Sequence, residues 1–529
     1  MRTPHPIRLL LIGLCVLFAA ANGALAKVSL HRLWTNNAGG LERAEIVIYD
    51  ANAKEFLVGN GPERCVMRLD ARSGNEVGRL DVARWGDPTS VAASHSLIAV
   101  AVVAPRKTDP GHVVLFRSSS TSPVAVVRVS ALPDMLTFTP DGRYILSANE
   151  GEPSDDYTVD PEGSISVIDV GRDAEHAVAL TADFLRFNPD RDTLEQQGVR
   201  ISGPNSRAPD GRATVAQDLE PEYIAVAPDG HTAWVTLQEN NALAIVDVRS
   251  ASVLQVVALG LNDHSQAGNG IDASDLDGIG GNGGVHIRRW PVSGMYQPDG
   301  IAVFEVGGAT YLATANEGDT RGYAAFSDEA RVKDLRLDES LLRGDAKLQA
   351  DDRLGRLKVS GVGGDTDGDG DVDRLLAFGG RSLAVWTADG QLVYDSGDAL
   401  EQYVAQHFPA RFNINEDGQN KQDARSPDKG PEPEGIVVGR VGTSTYVFVG
   451  LERTSAVAIF DVTVPAETKL VDVVPLTLDA KSMGGSHIAP EGLAFVPAER
   501  SPTGDPLLAV SCEVTGTTIL FRVDSVREP

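Results

Sequence analysis

The sequence predicts an all-β fold: a seven-bladed β-propeller with four antiparallel strands in each blade. Three observations support this prediction. One β-hairpin motif occurs five times, two weaker copies precede it, and an unassigned strand stands ahead of them all. The chain of 529 residues contains 54 glycines and 29 prolines, as a turn-rich β fold requires, and 42% of its residues are hydrophobic. Repeated four-stranded units that share a core are typical of propellers.

Each of the five repeats opens with proline and a carboxylate residue and continues as an alternating apolar strand. A turn follows, and a second strand ends in glutamate, which is the pattern of a β-hairpin. The five segments are 133–150, 221–239, 298–317, 433–452 and 490–513. A third strand follows in most repeats, as at 164–170, 241–248 and 455–462, and a shorter fourth strand is expected after it.

Two weaker copies, 45–61 and 90–103, raise the number of blades to seven. The last repeat has three strands before the chain stops, whereas the strand at 28–36 has no blade of its own. Because a propeller ring needs its last sheet completed, we expect residues 28–36 to pair with the strand around 517–523. The alternatives are six or eight blades, or a string of separate sandwich domains.

The first 26 residues are typical of an export signal, with Arg2 and Arg8 before an apolar run of 12 residues and a small-residue cleavage pattern ending at Ala26. We therefore expect cleavage after Ala26 and a secreted or periplasmic chain, with residues 27–529 forming a single propeller domain. That apolar run is too short to cross a membrane, and no later stretch reaches the ~18 residues required. Cys65 and Cys512 remain in the mature chain, and two buried free thiols are favoured over a disulfide.

The charge balance indicates cations rather than nucleic acid as partners. The chain carries 47 Lys and Arg against 74 Asp and Glu, a formal charge of −27. Nucleic-acid phosphates would be repelled by this surface. We expect a monomer that binds divalent cations.

Propeller geometry places the repeated carboxylates together, since strand A begins on the face where strand B ends. Ten acids occupy those two positions: Asp134, Glu150, Glu222, Glu239, Asp299, Glu317, Glu434, Glu452, Glu491 and Glu513. The long insertions belong to connections on the same face: 183–219, 259–296, 318–373 and 398–430. Long loops in compact folds are usually functional. We predict that this face carries the site.

Ten converging carboxylates would repel one another unless they are protonated, paired or neutralised by cations. All-oxygen ligands favour hard ions, so the expected cofactor is calcium or another hard divalent cation such as magnesium or manganese. Glu434 and Glu491 are the preferred ligands, because each follows proline and precedes glycine at the start of an inner strand. The alternative is structural: the acids cap loop amides and hold neighbouring blades together.

A second acidic motif lies in the insertion 318–373. Asp365, Asp367, Asp369 and Asp371 alternate along the chain, and Gly370 stands where an EF-hand loop turns. Leu376 replaces the glutamate that would complete an EF-hand. These oxygens suit calcium, and we expect an ion there to stiffen the loop rather than to take part in chemistry.

Four cationic or basic residues next to the repeat motifs are candidates for catalytic roles. They are Arg321, Lys429, Arg453 and His487. Arginine suits phosphate because of its forked geometry, so Arg453 is the preferred phosphate clamp, and His487 is a candidate base or ligand. Each of them could equally form a surface ion pair. The sequence contains no G-x-S-x-G, H-E-x-x-H or Walker motif.

Several segments resemble the bacterial choice-of-anchor I domain, among them LPDMLTFTPDGRYILSANEGEPS, DKGPEPEG, YVFVGLER and SPTGDPLLAVSCEVTGTT. They are also similar to a sea-urchin mesenchyme-specific cell-surface glycoprotein and to the atypical alkaline phosphatase of cyanobacteria. The resemblance covers nearly all of the mature chain. It implies a secreted or cell-surface propeller with a link to calcium and phosphate, and it supplies no assigned catalytic residue.

Two functions therefore remain open from the sequence. The first is a metal-dependent phosphoesterase, in which clustered divalent ions hold a phosphoester substrate and generate hydroxide. The second is a non-enzymatic calcium-binding module of the cell-surface, adhesion or biomineralisation type. A phosphoesterase needs an open metal site flanked by Arg or Lys, whereas a binding module would show every acid saturated by backbone amides or ion pairs.

Overall fold

A computed structural model of the chain describes residues 27–171, 173–415, 421–476 and 488–526. In these residues, seven sheets have four antiparallel strands each. The first strand of each sheet contacts the first strand of the next, and these contacts close into a ring. The predicted all-β propeller is confirmed, with the start of each repeat on the inside of the ring.

We number the blades in chain order and name their strands A to D from the axis outward. The strands of blades one to three are Val47–Asp50, Glu55–Asn60, Cys65–Asp70 and Glu76–Asp81; Asp87–Ser94, Leu97–Val103, Pro110–Arg117 and Pro123–Ala131; Pro133–Phe138, Tyr144–Asn149, Ser164–Asp169 and Ala179–Asp183. Those of blades four to six are Pro221–Val226, Thr232–Leu237, Ala242–Asp247 and Ser252–Ala258; Ile301–Val306, Ala309–Asn316, Ser382–Thr387 and Leu392–Asp395; Pro433–Val441, Ser444–Leu451, Ala456–Asp461 and Lys469–Pro475. Blade seven consists of Pro490–Val496, Leu507–Cys512, Thr517–Val526 and Lys27–Asn37.

The core lies between neighbouring blades, because each sheet buries both of its faces. Strand B of blade two, Leu97–Val103, is buried at every position. The outermost strands are less buried. Strand D of blade one, Glu76–Asp81, is exposed or half-buried at every position except one. Between blades two and three, Leu115 packs in one cluster with Leu136 and Ile145. Continuous apolar runs therefore mark the B and C strands, and burial of these runs is the main favourable term in folding.

The N-terminal strand closes the ring, as predicted. Lys27–Asn37 pairs antiparallel with Thr517–Val526, so that Leu30 lies opposite Val523 and Trp34 opposite Leu520. Trp34 is buried, packs edge-on against Phe56 of blade one and donates its indole N–H to the carbonyl of Ala71. The closing strand therefore joins blade seven to blade one through side chains as well as through backbone hydrogen bonds.

Three of the long insertions fold together into a structured cap, which we define as residues 259–296, 318–377, 398–415 and 421–430. Its five-stranded sheet consists of Leu261–Asp263, Val292–Met295, Leu375–Ala377, Lys358–Ser360 and Glu329–Arg331, and a two-stranded ribbon pairs Gly322–Tyr323 with Phe326–Ser327. The cap has its own apolar cluster, which includes Trp290, Leu354 and Leu375. These insertions therefore form an ordered substructure over one face of the propeller. Their placement on a single face agrees with the prediction.

Helices are short and lie in the connections. They are Ala174–His176, Leu185–Asp190, Arg191–Gln197, Val215–Asp218, Ile279–Gly281, Val332–Asp334, Glu339–Leu342, Ala399–His407, Pro409–Arg411, Glu452–Thr454 and Pro465–Glu467. Among the described residues, none of these helices is long and apolar enough to cross a membrane. Cys65 and Cys512 are both free and buried, as the sequence favoured.

Ring closure predicts a large loss of stability when the N-terminal strand is removed. Deleting residues 27–37 from the mature chain would expose the edge of strand Thr517–Val526 and remove the buried Trp34. Loss of a buried tryptophan side chain alone destabilises a protein by about 3–5 kcal/mol. We expect a markedly lower Tm by calorimetry.

The control for this deletion substitutes exposed positions of the same strand. His31→Ala with Thr35→Ala keeps the backbone pairing and should change stability by no more than about 0.5 kcal/mol, as is usual for surface positions. A deletion variant that melts like the intact chain would contradict the closure.

Candidate functional site: an acidic cavity on the propeller axis

A cavity of about 310 Å³ lies on the axis, at the face where the A strands begin. Eight of the ten predicted acids line it: Asp134, Glu150, Glu222, Glu239, Asp299, Glu317, Glu434 and Glu491. The other two, Glu452 and Glu513, are not part of this lining. The lining includes three carboxylates that the sequence analysis missed, Glu45, Glu152 and Asp319, and one cationic side chain, Lys429.

A recurring β-bulge sets the position of the acid at the start of strand A. In four blades the register of the A–B pair shifts between the proline and the residue three positions later, at 133/136, 221/224, 433/436 and 490/493. The acid lies within each shift. Bulges bend a strand and redirect its side chains, and they are frequent beside active sites. In three of these blades the residue before the proline is left-handed, at Leu132, Glu432 and Ala489, and Gln297 before the proline of blade five is left-handed as well.

The glycine that follows the acid in three repeats is required by close contact between neighbouring A strands. A Cβ added at Gly435 would lie 1.6 Å from the carbonyl oxygen of Glu491, and one at Gly492 would lie 2.6 Å from that of Glu45. Neither position has room for a side chain. Packing of the inner strands therefore brings acids of successive blades side by side at the mouth of the axis.

Three lining acids from blades five and six lie close together. One carboxylate oxygen from each of Asp299, Glu317 and Glu434 lies within 4.8 Å of the others. Glu317 also belongs to a second group of this kind with Glu432 and Glu452. Such spacing allows a single ion to contact three carboxylates.

Burial and mutual repulsion raise the pKa values of the lining acids. For Glu45, burial followed by the charge of Asp134 raises the pKa to about 8. For Asp134, burial followed by the charge of Glu152 raises the pKa to about 7. The pKa of Glu434 is held well above its usual value by burial and by the charge of Glu452. Without a cation, the cavity therefore disfavours full ionisation.

Lys429 is the cationic side chain that the lining does provide. Its Nζ lies 2.6 Å from Glu317, 3.5 Å from Glu432 and 4.0 Å from Asp319. Burial opposes the charge on Lys429, but the carboxylates of Glu317 and Glu432 outweigh that effect and hold its pKa well above the usual value. One ammonium group offsets only part of the negative charge.

Two lining acids retain buried oxygens without a hydrogen-bond partner. The Oε2 atoms of Glu222 and Glu239 have none among the described residues, and the side chains are 8% and 7% exposed. Buried polar atoms are nearly always satisfied in folded proteins. An all-oxygen wall with unsatisfied carboxylates is suited to a hard cation.

The predicted cationic residues occupy different places. Arg321 is buried outside the lining, where it donates to the carbonyl of Asp218 at 2.8 Å and to Oγ of Ser202 at 3.1 Å and lies 3.3 Å from the carboxylate of Glu220. Burial opposes its charge, but Asp218 and Glu220 raise its pKa well above the usual value. Arg321 therefore joins the insertion 183–219 to the cap.

Arg453 also lies outside the lining of the axial cavity. Its Nε is 2.9 Å from Glu432 and its Nη1 is 3.1 Å from Glu452, and burial lowers its pKa to about 10. These ion pairs engage the guanidinium that the sequence suggested as a phosphate clamp. His487 lies outside the residues that the structure describes.

Aspartates of the loop 365–373, which we call the aspartate loop, form two groups and not the single set that the sequence predicts. Asp365 accepts hydrogen bonds from the backbone N–H groups of Gly368 and Gly370, at 2.7 and 3.0 Å. Its carboxylate approaches those of Asp367 and Asp373 within 4.8 Å. The prediction that Asp371 and Asp369 join the same set is wrong. Asp371 approaches Asp338 and Asp373, and Asp369 is in neither group.

A repeated sequence pattern could have identified Glu152 and Asp319, two of the three lining acids that the sequence analysis missed. Strand B of blades three and five is followed by Glu-Gly-Glu (150–152) and Glu-Gly-Asp (317–319), so the same spacing recurs in two repeats. Blades four and six begin with Glu-Pro-Glu, at 220–222 and 432–434. Glu45 had no such signal, because the first copy lacks the proline.

The raised pKa values predict that metal-free protein loses stability as the pH rises. Glu45, Asp134 and Glu239 have pKa values of about 8, 7 and 7. The folded state then holds protons that the unfolded chain releases, so the stabilisation is complete below about pH 4 and is lost as the pH rises through about 7 to 8. In a chelating buffer, Tm should fall between about pH 6.5 and pH 9.

Burial lowers the pKa of His264 to about 4, so this residue makes the protein more stable as the pH rises. That increase in stability is complete below the pH window of the prediction, because the unfolded histidine titrates at about pH 6.5. Replacing Asp134 by Asn should reduce the slope, whereas Asp229→Asn, at an exposed turn, should leave it unchanged. A Tm that rises across the window would contradict the electrostatic account.

Comparison with known proteins assigns the chain to a family. The choice-of-anchor I domain matches residues 45–465. The chain is 34% identical over 196 residues to Gigasin-3a of Magallana gigas, covering 34% of this chain and 69% of that protein. It is 28% identical over 322 residues to the mesenchyme-specific cell surface glycoprotein of Strongylocentrotus purpuratus, covering 54% of this chain and 40% of that protein.

Solved structures share the general shape at low sequence identity. Hydrazine synthase of Kuenenia stuttgartiensis has a TM-score of 0.47 at 13% identity, covering 92% of this chain and 97% of that one. The Cps50 (Swd1) β-propeller domain of Myceliophteria thermophila has a TM-score of 0.46 at 10% identity, covering 94% and 100%. These scores are too low to bear on function. The family match spans most of the chain, and the protein therefore belongs to the choice-of-anchor I family.

Proposed function

We propose that this protein is an extracellular binding module whose axial cavity holds a hard divalent cation, calcium in the first instance, with magnesium or manganese as alternatives. The observation that carries the proposal is the approach of Asp299, Glu317 and Glu434 within 4.8 Å, inside a cavity whose lining contains one lysine. Carboxylate oxygens in such numbers are the ligands that these ions prefer.

The chemistry of the wall supports a bound cation. Calcium takes about six to eight oxygen ligands, and Asp299, Glu317 and Glu434 supply three from two neighbouring blades. The unpartnered oxygens of Glu222 and Glu239 supply further acceptors on the same wall. A divalent ion would also relieve the repulsion that raises the pKa values of these acids.

The aspartate loop is the second candidate cation position, with a structural role. Asp365, Asp367 and Asp373 approach one another there, and Asp365 already orders the loop through the amides of Gly368 and Gly370. The loop is exposed and belongs to the cap. An ion at this position would stiffen the cap without reaching the axial cavity.

The extracellular setting rests on the export-signal pattern of residues 1–26 and on the relatives. One relative is named a cell surface glycoprotein. A binding role suits an acidic chain whose predicted phosphate clamp, Arg453, is engaged by Glu432 and Glu452.

A metal-dependent phosphoesterase is the second candidate function, and Lys429 is the observation in its favour. It lines the cavity beside Glu317 and Asp319, so it could contact an anionic substrate there. Arg321 and Arg453 do not line the cavity. Because an anionic substrate would meet many carboxylates and one ammonium group, the binding module is the better supported function.

Calcium should stabilise the protein through Glu434. At a hundred times the dissociation constant, a single site would add about 2.7 kcal/mol to the free energy of unfolding. Glu434→Gln removes one charged ligand while keeping the shape of the side chain. We expect calcium to raise the Tm of the parent protein and to raise that of the variant much less, with at least tenfold weaker binding by calorimetric titration.

The matched control is Glu305→Gln on the exposed part of strand A in blade five, which should bind calcium like the parent. Asp365→Asn should remove a separate class of binding and leave the axial class intact. An unchanged melting curve of the parent protein across millimolar calcium and chelator would refute the proposal.

The phosphoesterase candidate predicts calcium-dependent hydrolysis of p-nitrophenyl phosphate that depends on Lys429. Lys429→Met should lower kcat/KM by roughly 10- to 100-fold, as expected for loss of a charged hydrogen bond to substrate, while Lys429→Arg retains part of the activity. If metal-loaded protein hydrolyses no phosphoester between about pH 5 and pH 10, the enzyme is excluded and the binding module stands.

A further inference from the structure

A second cavity, of about 930 Å³, lies in the cap and shares no lining residue with the axial cavity. Its volume is within the range of about 300–1,000 Å³ that is usual for small-ligand sites. Its wall brings together three arginines, two of them adjacent in the sequence, with a tryptophan, two aspartates and apolar side chains from the three insertions that form the cap. This combination differs from the carboxylate-rich wall on the axis, which contains no arginine or tryptophan among its described residues.

The two adjacent arginines are Arg288 and Arg289. Both are exposed, and neither forms an ion pair with any described residue. Two other arginines of the cap are paired: Arg353, which also lines the cavity, with Asp345, and Arg356 with Asp275. Two unpaired guanidinium groups on a cavity wall are unusual in a chain of net charge −27. Their forked donors match the oxygens of a carboxylate or sulfate group.

Trp290 supplies a flat apolar wall and an unused donor. It is 6% exposed, lines the cavity, and its indole nitrogen has no acceptor among the described residues. The other buried tryptophans do donate: Trp34 to Ala71, Trp234 to Ala388 and Trp386 to Thr314. Buried indole N–H groups normally find an acceptor. An oxygen-bearing ligand that settles against this wall can provide one.

The two aspartates offer acceptors for hydroxyl groups. Asp398 accepts the backbone N–H of Gly270 at 3.2 Å, and Asp345 is paired with Arg353, so each carboxylate is held in place and keeps lone pairs for further bonds. Inorganic sulfate has no hydrogen to donate to these acceptors, whereas sugar hydroxyl groups do. The wall therefore indicates a ligand with acidic groups, hydroxyl groups and an apolar ring face.

We propose that the cap cavity binds a short acidic oligosaccharide, whose sugars carry carboxylate or sulfate groups. Arg288 and Arg289 contact the acidic groups, Trp290 packs against a sugar ring, and Asp345 and Asp398 accept hydroxyl groups. The proposal is independent of the axial cation, because the two cavities have no residue in common.

The test measures binding to the mature chain in a chelating buffer, so that no divalent ion can bridge the sugar to the axial acids. The probes are alginate oligosaccharides for carboxylate, low-mass dextran sulfate for sulfate, and neutral dextran. We expect saturable binding of at least one acidic probe by calorimetric titration, accompanied by a change in tryptophan fluorescence, and no binding of neutral dextran. The acidic probe that binds identifies the group.

Arg288→Ala combined with Arg289→Ala should weaken that binding by at least roughly tenfold, the effect of losing charged hydrogen bonds. The control, Arg117→Ala with Arg440→Ala, removes two exposed arginines from the propeller and should bind like the parent. Trp290→Phe should abolish the fluorescence change and weaken binding several-fold. The proposal is overturned if no acidic probe binds, if neutral dextran binds equally, or if both double variants lose affinity alike.

Discussion

The close contact between the A strands of neighbouring blades is the constraint on which the rest of the molecule depends. At Gly435 and Gly492 the backbone of one blade occupies the space where a side chain would otherwise stand. A ring that packs this tightly forces the first residues of successive inner strands together. Because those residues are acids in most blades, ring closure by itself concentrates negative charge at the mouth of the axis.

The structure separates these acids into two groups with different roles. An outer group is neutralised within the protein: Glu220 by Arg321, and Glu432 and Glu452 by Arg453. These pairs hold the insertions against the propeller, which is the structural role that the sequence left open. The lining acids have one ammonium group between them and retain unsatisfied oxygens, as at Glu222 and Glu239. Structural pairing therefore explains the outer acids, and the cation that we propose would neutralise the inner ones.

The cap extends the same face with a different chemistry. Its sheet and apolar cluster come from segments that are far apart in the sequence, and Lys429 reaches from the cap into the axial cavity. Ion pairs such as Lys358 with Asp428 and Lys421 with Asp275 join its parts. The propeller thus supplies a site rich in carboxylates, and the cap supplies arginine and an aromatic wall beside it. The proposed cation and the proposed acidic ligand would therefore be held by different residues.

The sequence by itself determined the propeller, the closing strand at 28–36, the face on which the repeated acids gather and eight of the lining acids. These features follow from a repeat whose alternation and turns are local, and from the fact that strand direction assigns each residue to a face. Tertiary structure decided what local pattern does not encode. The bulge that redirects Glu434, the engagement of Arg453 by Glu432, and the folding of separate insertions into one cap all depend on contacts between residues distant in the chain. A periodic pattern fixes which face a side chain is on, but the partner it meets there is fixed only when the ring closes.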